Sequence, residues 1–348
     1  MTQKIPVAII GANGYTGIEL VRLCLRHPNI KLAAITSRQY KGQALEDVFP
    51  HFSGLSKLVF EDASVAAIAK RVKCVFLCLP HHDSMETAAQ FRKIGIKVID
   101  LSADFRFNSA STYEATYGPH TQKKLLKDAQ YGLCEIFSEA IKKATLVGVP
   151  GCYVTSILLA LAPLLQYQMI KPTGIICDSK SGTSGAGRSA KTEQLFAELN
   201  DNFYAYGLNG HRHRPEIEEK LSELAGQDIR ITFTPHLLPT TRGILSTIYT
   251  LPFQKLKSEK ITGVYRKFYG NDPFIKILPS GQSPQIKNVA GTNLCQISAI
   301  YDDHSERIII TSALDNLLKG ASGQAVQCFN LMYNLDEAAG INQIAVRP

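Results

Sequence analysis

The amino-acid sequence predicts an α/β protein in two parts: a mostly parallel sheet flanked by helices, then an α+β domain with an antiparallel-rich sheet. Three observations predict it. The chain has 348 residues, which suits about two domains. Over the first 150 residues, short apolar runs alternate with helical patterns, as in βαβ units. Beyond Cys152, strand-like segments follow one another with few helices between them.

Each element has its own signal. Val7-Ala8-Ile9-Ile10 is wholly apolar, as expected of a strand buried on both faces. A helical pattern runs through Leu20, Val21, Leu23, Cys24 and Leu25 and stops before Pro28, which disfavours helix in the residue before it. Strands are expected at 32–36 and 74–79, the second ended by Pro80. A helix over 84–94 and a strand over 97–101 follow. After Cys152 the pattern predicts a long apolar helix at 154–167 and strands at 173–178, 229–234, 243–251, 294–301 and 307–311. A last helix is expected at 322–331.

Composition excludes several classes. Hydrophobic residues make up 45% and charged residues 20%, enough to enclose a core. No stretch approaches the ~18 consecutive apolar residues of a membrane span. The N-terminal residues lead straight into the first strand and a glycine turn, so no signal peptide is read and a cytoplasmic location is expected. The eight cysteines form no CxxC pair, which favours reduced thiols over a disulfide framework. The net charge of +8 is scattered, and Lys123, Lys124 and Lys127 read as a solvated helix face. No nucleic-acid partner is expected; a basic balance suits small anionic ligands.

Gly11-Ala12-Asn13-Gly14-Tyr15-Thr16-Gly17 stands between the first strand and the first helix. Glycines let a backbone turn sharply and lie against a pyrophosphate, while the helix N-terminus offers N–H groups and the positive end of its dipole. An ordinary tight turn is the alternative; the flanking strand and helix favour a dinucleotide. Its identity depends on the end of the second strand, where an acid reads the ribose of NAD. Here Thr36-Ser37-Arg38 stands instead, and Ser37 and Arg38 suit a 2′-phosphate. The expected cofactor is NADPH/NADP+, unless Arg38 is simply a solvated loop residue.

Cys152 follows a strand and a Pro150-Gly151 turn at the mouth of a long helix. A helix N-terminus stabilises a thiolate, so this cysteine is a candidate nucleophile. Cys74, Cys78 and Cys177 lie in apolar strands and read as core. Gly210-His211-Arg212-His213-Arg214-Pro215-Glu216 is the densest cluster of functional groups. If the stretch is extended, His211 and His213 share a face. A surface loop or a metal pair are the alternatives, and with no third ligand evident no metal is expected. The small-residue stretch Ser181–Arg188 reads equally as a ligand loop or a flexible one. Arg106, in Asp104-Phe105-Arg106, suits a bidentate clamp on phosphate or carboxylate, or a surface ion pair with Asp104.

Together these segments resemble the N-acetyl-gamma-glutamyl-phosphate reductase family. The motifs are Gly11–Gly17, Leu101–Arg106, Val149-Pro150-Gly151-Cys152-Tyr153, Lys180–Gly187, His211–Ile217 and Asp315–Ala325, and they span essentially the whole chain in order. Pro-Gly-Cys-Tyr and His-Arg-His-x-Pro-Glu-Ile are the specific ones. The resemblance implies a Rossmann-type dinucleotide-binding domain, here 1–151 with 313–348, and an inserted catalytic and oligomerisation domain, 152–312. It implies that Cys152 attacks an acyl phosphate to give a thioester, which NADPH reduces to a semialdehyde in arginine biosynthesis. His213 then resembles the acid/base partner, and Arg106, Tyr206, His211 and Glu216 resemble substrate contacts. Ser184, Gly185 and Asn316 are implied to lie against the nicotinamide half, and a homo-oligomer, dimer or tetramer, is implied. Rival readings are a sister reductase acting on aminoadipyl or aspartyl phosphate, and a redox sensor that binds NADP without catalysis.

Overall fold

The structure is a computed structural model that describes residues 3–346. Its first sheet contains β1 (Ile5–Ile10), β2 (Ile30–Thr36), β3 (Phe60–Glu61), β4 (Cys74–Leu77), β5 (Lys97–Asp100), β6 (Gln130–Tyr131) and β7 (Leu146–Gly148). All pairings are parallel, in the order β3-β2-β1-β4-β5-β7-β6. Val7 to Ile10 and Cys74 to Leu77 are completely buried, because helices cover both faces of the sheet's centre. The strand order reverses between β1 and β4, and open sheets of this kind bind ligands beyond the carboxyl ends of such strands.

Helix Tyr15–Arg26 follows β1 and ends at His27, as Pro28 requires. Helix Gly323–Met332 brings the end of the chain back to this sheet. Ser322 Oγ donates to Thr16 O at 2.8 Å and Gln324 Nε2 to Gly132 O at 2.8 Å, so polar clamps fix its seat.

The second sheet is mixed: β8 (Ile175–Gly182), β9 (Tyr204–Ala205), β10 (Ile231–Leu238), β11 (Ile244–Thr250), β12 (Ile275–Ile277), β13 (Cys295–Asp302) and β14 (Arg307–Leu314). The order is β12-β13-β14-β11-β8-β10-β9, with β8–β10 and β12–β13 parallel and the other pairs antiparallel. One face carries helix Cys152–Gln166, whose residues from Tyr153 to Leu165 are all buried. Pro163 sits inside this helix and cannot donate to the carbonyl of Leu159. The hydroxyl of Tyr269, from helix Ser258–Tyr269, donates to Leu159 O at 2.8 Å instead, and Tyr265 caps Ala160 O. A proline that ought to weaken the helix is thereby repaired by tertiary hydrogen bonds.

Two compact units result. One runs to Pro150 and resumes over Ala321–Asn342; the other is Gly151–Gly320 and takes the chain up again from Gln343. The sequence places the return at 313, eight residues too early. The reason is that Ala313 and Leu314 still pair with β11 and β13, and the turn after them packs within the second unit. Helices His213–Ala225, Ala110–Tyr117 and Cys134–Lys143 were not foreseen, nor were the two-residue strands β3, β6 and β9, which are too short to show a periodicity. No described helix is long and apolar enough to cross a membrane.

Candidate functional site

In the first unit the three glycines divide the work of a turn. Gly11 has φ +83°, and a Cβ there would meet Cys78 O at 2.6 Å, so the turn closes directly over the end of β4. A Cβ on Gly17 would stand 2.7 Å from Ala12 Cα, so the helix packs against the turn itself. Gly14 has open space around it, where a phosphate can approach the backbone. The first turn of the helix holds no acid, with Tyr15 and Thr16 beside its free N–H groups, and Asn13 precedes it. These features fit a dinucleotide pyrophosphate.

Thr36 ends β2 and its hydroxyl accepts the N–H of Gly11 at 3.1 Å. Ser37 is buried and accepts the N–H of Tyr40. Arg38 reaches outward, with its side chain 88% exposed, and rests 3.3 Å from Asp83. So exposed a pair is worth little and is readily exchanged for a phosphate. Arg106 is buried in the same unit, and its Nη2 donates to Leu101 O at 2.7 Å. Asp104 accepts the N–H of His82 and the hydroxyl of Tyr113, which anchors the loop that carries Arg106. Asp100, beneath it, is raised to about 6 by burial and then by Asp104, and takes hydrogen bonds from Ser84 and Ser102.

In the second unit Cys152 is the first residue of its fifteen-residue helix, half-buried, after Gly151 in an extended conformation. The imidazole of His213 lies against this spot: a Cβ on Gly151 would be 2.5 Å from His213 Nε2. Glu216 is completely buried, and its Oε1 accepts the N–H of Gly151 at 3.1 Å. His213 and Glu216, three apart on one helix, therefore grip the residue before Cys152.

The His-x-His stretch is not extended as expected. His213 opens helix His213–Ala225, and its N–H donates to His211 Nδ1 at 3.1 Å. A helix start leaves its first N–H groups unsatisfied, and His211 fills that need. The two rings still lie together, with centroids 4.9 Å apart, by a helical cap rather than by strand alternation. Burial lowers His211 to about 4, with Arg212 adding to the effect. The ring is boxed by Tyr153, Tyr206 and Phe233. Tyr206 donates its hydroxyl to Tyr153 at 3.1 Å, and Tyr153 donates to His236 O at 3.2 Å. Tyr153 was not singled out from the sequence; its place beside Cys152 in the motif was the available signal.

Ser184 and Gly185 lie on a tight turn after β8. Asn316 Nδ2 donates to Ser184 Oγ at 2.9 Å, while Asn316 Oδ1 accepts Gly243 N–H at 2.7 Å. The structure thus brings Cys152, His211, His213, Tyr206 and Glu216 together, and Ser184, Gly185 and Asn316 together, within one unit. Among the described residues, no group of three His, Cys, Asp or Glu is placed to hold a metal ion.

A parallel sheet with a glycine turn at its switch point, followed by a mixed-sheet unit with a helix-borne cysteine and histidine, defines the semialdehyde dehydrogenase class. Two family models of that class match the chain, the NAD binding domain over residues 6–144 and the dimerisation domain over 152–316. Aspartate semialdehyde dehydrogenase II from Vibrio cholerae, complexed with ASA, shares the fold at a TM-score of 0.72 with 17% identity, over 96% of this chain and 99% of that one. Aspartate semialdehyde dehydrogenase with NADP from Candida albicans does so at 0.69 with 13% identity, over 95% and 99%. Sequence similarity is narrower. The N-acetyl-gamma-glutamyl-phosphate reductase of Geobacter sulfurreducens is 48% identical over 98% of this chain and 99% of its own length. That of Desulfotalea psychrophila is 48% identical over 99% and 100%. The chain belongs to the N-acetyl-gamma-glutamyl-phosphate reductase family.

Proposed function

We propose that this protein is an NADP-dependent oxidoreductase that reduces N-acetyl-L-glutamyl 5-phosphate to N-acetyl-L-glutamate 5-semialdehyde in arginine biosynthesis, releasing phosphate. The observation that carries the mechanism is Cys152 at a helix mouth, with His213 and Glu216 closed around Gly151. The helix N-terminus favours the thiolate. Its Sγ attacks the acyl carbon, the bond to the phosphate oxygen breaks, and the electron pair leaves with phosphate. The resulting thioester would be reduced by hydride that NADPH, held by the glycine turn and bordered by Ser184, Gly185 and Asn316, would supply when bound. His213 takes the thiol proton, protonates the adduct oxygen and recovers that proton when the carbon–sulfur bond breaks. Glu216 accepts the Gly151 N–H, which supports a positioning role for it beside the substrate contact that the resemblance implies. Tyr206, His211 and Arg106 remain candidates for holding the substrate.

Gly11, Asn13, Gly14, Tyr15, Thr16 and Gly17 would hold the pyrophosphate, and Ser37 and Arg38 the 2′-phosphate. Ser184, Gly185 and Asn316 would border the nicotinamide. Arg38→Glu is expected to weaken NADPH about tenfold relative to NADH, the worth of one charge-assisted contact. Equal affinity of the parent protein for both cofactors argues against this assignment.

A phosphate-dependent NADP+ reduction assay over a panel of semialdehydes tests the substrate. Preference for N-acetyl-glutamate semialdehyde is expected. Preference for aspartate semialdehyde, or for a carrier-linked aminoadipate semialdehyde, overturns the reading.

A homo-oligomer is the expected assembly, a dimer or a tetramer. The face of the second sheet away from helix Cys152–Gln166 is only partly covered, with Asp178, Thr234, Thr247 and Thr311 in one cross-strand row. This supports a second copy packed there. Thr247→Arg puts a long charged side chain at the centre of that row, where a second copy would have to pack, and should shift the protein towards monomer in sedimentation. An unchanged sedimentation coefficient moves the interface elsewhere.

A further inference from the structure

The turn after β14 touches both groupings of the second unit. At one end Asn316 holds Ser184 at 2.9 Å and accepts Gly243 N–H at 2.7 Å. At the other, Gly320 lies so close to the nucleophile that a Cβ on it would be 2.7 Å from Cys152 Cβ. Gly320 stands at the centre of a π-helical turn, Leu318–Ser322, an irregular backbone that needs something to hold its shape.

Asp315 is that something. It is completely buried, and donors converge on its carboxylate. Oδ1 accepts the N–H of Leu317 at 2.8 Å and of Leu318 at 3.1 Å. Oδ2 accepts the N–H of Gly291 at 2.7 Å and faces Arg242 Nη1 at 3.5 Å. Its own carbonyl accepts the N–H of Gly320 at 2.9 Å. In the same turn the ammonium of buried Lys319 lies 5.6 Å from the centre of the Phe274 ring. Both carboxylate oxygens are used as acceptors, and an amide in their place would have only one.

We propose that Asp315 is a positioning residue which, through this one turn, sets both Asn316 against the Ser184 loop and Gly320 against Cys152. The proposal rests on the reading above, in which Cys152 is the nucleophile and Asn316 borders the nicotinamide. Asp315→Asn presents an amide donor to donors already there, and the turn must shift. A shift of about 1 Å at a reacting group can cost about 10²-fold.

The test uses the full chain and two readouts. Alkylation of Cys152 by iodoacetamide, followed by mass spectrometry, reports the cysteine without any turnover; the KM for NADPH reports the cofactor side. Asn316→Ala should raise the KM and leave alkylation alone. Gly320→Ala should change the alkylation rate and leave the KM alone. Asp315→Asn should move both, each by about tenfold or more. Ile310→Ala, a buried apolar truncation on β14, controls for loss of stability and should move neither. If Asp315→Asn does not fold, Arg242→Met removes one donor from the same carboxylate and should move both in the same direction by less. Parental values for both readouts, movement of only one, or equal effects from Ile310→Ala overturn the proposal. Failure of the underlying reading shows separately, as an active Cys152→Ala protein.

Discussion

Cys152→Ala is expected to abolish phosphate-dependent turnover, by at least about 10³-fold, while leaving NADPH binding intact. An acyl phosphate is a mixed anhydride, and phosphate is a good leaving group from its acyl carbon when a thiolate attacks. Exchange for a thioester tethers the still-activated acyl carbon to the protein in place for hydride, and the thiolate then departs cleanly. That exchange needs a sulfur that ionises near neutral pH, against an ordinary thiol value of about 8.5. The other cysteines are poorly suited. Burial pushes Cys74 and Cys78 up to about 12, and raises Cys24 and Cys177 as well. Cys134, Cys295 and Cys328 are buried. Cys152 alone among the eight opens a helix that long, half-buried and beside an imidazole. Iodoacetamide should therefore inactivate the protein in step with modification of Cys152, and substrate should slow it. A thioester mapped to another cysteine, or a Cys152→Ala protein that still turns over, refutes the mechanism.

The second large effect is at His213. His213→Asn should lower turnover by about 10² to 10⁴, the usual range for a general acid/base. The contrast with His211 is the sharper part of this prediction. His211 accepts the His213 N–H on Nδ1, so its neutral ring carries the proton on Nε2. Its value in the fold, about 4, lies below the ordinary histidine value near 6.5. A group depressed in this way is neutral at working pH, and the stability it contributes is full above about 6.5 and lost as pH falls towards 4. His211 can then bind substrate as a neutral donor but cannot supply a titrating limb near neutrality. The pH profile of His211→Asn should keep its shape with a raised KM, and that of His213→Asn should lose a limb. A flattened profile in His211→Asn with a parental one in His213→Asn reverses the two roles.

The legibility of the fold follows from the range of each signal. Val7–Ile10 and Cys74–Leu77 were readable as strands because strands covered on both faces must be apolar throughout. Pro28 marked the end of the first helix, and the glycine turn was visible because only glycine tolerates Gly11's φ of +83° against the Cys78 carbonyl. Two-residue strands carry no period, and helix His213–Ala225 was hidden by a motif that reads equally well as extended.

The sequence by itself determined the class of protein, and it singled out the glycine turn and Cys152 as the candidate cofactor and nucleophile positions. These depend on local backbone conformation and on residue types within a few positions of one another. Tertiary structure alone decided what surrounds them. Glu216 reaches Gly151 across 65 residues, and the hydroxyl of Tyr269 repairs the proline-broken helix across 110. Asp315 gathers N–H groups from its own turn and from Gly291, 24 residues back. Such partners are brought together by the order of strands in a sheet. A buried polar group must find its partner wherever the fold places one, and nothing in the neighbouring sequence records which partner that is.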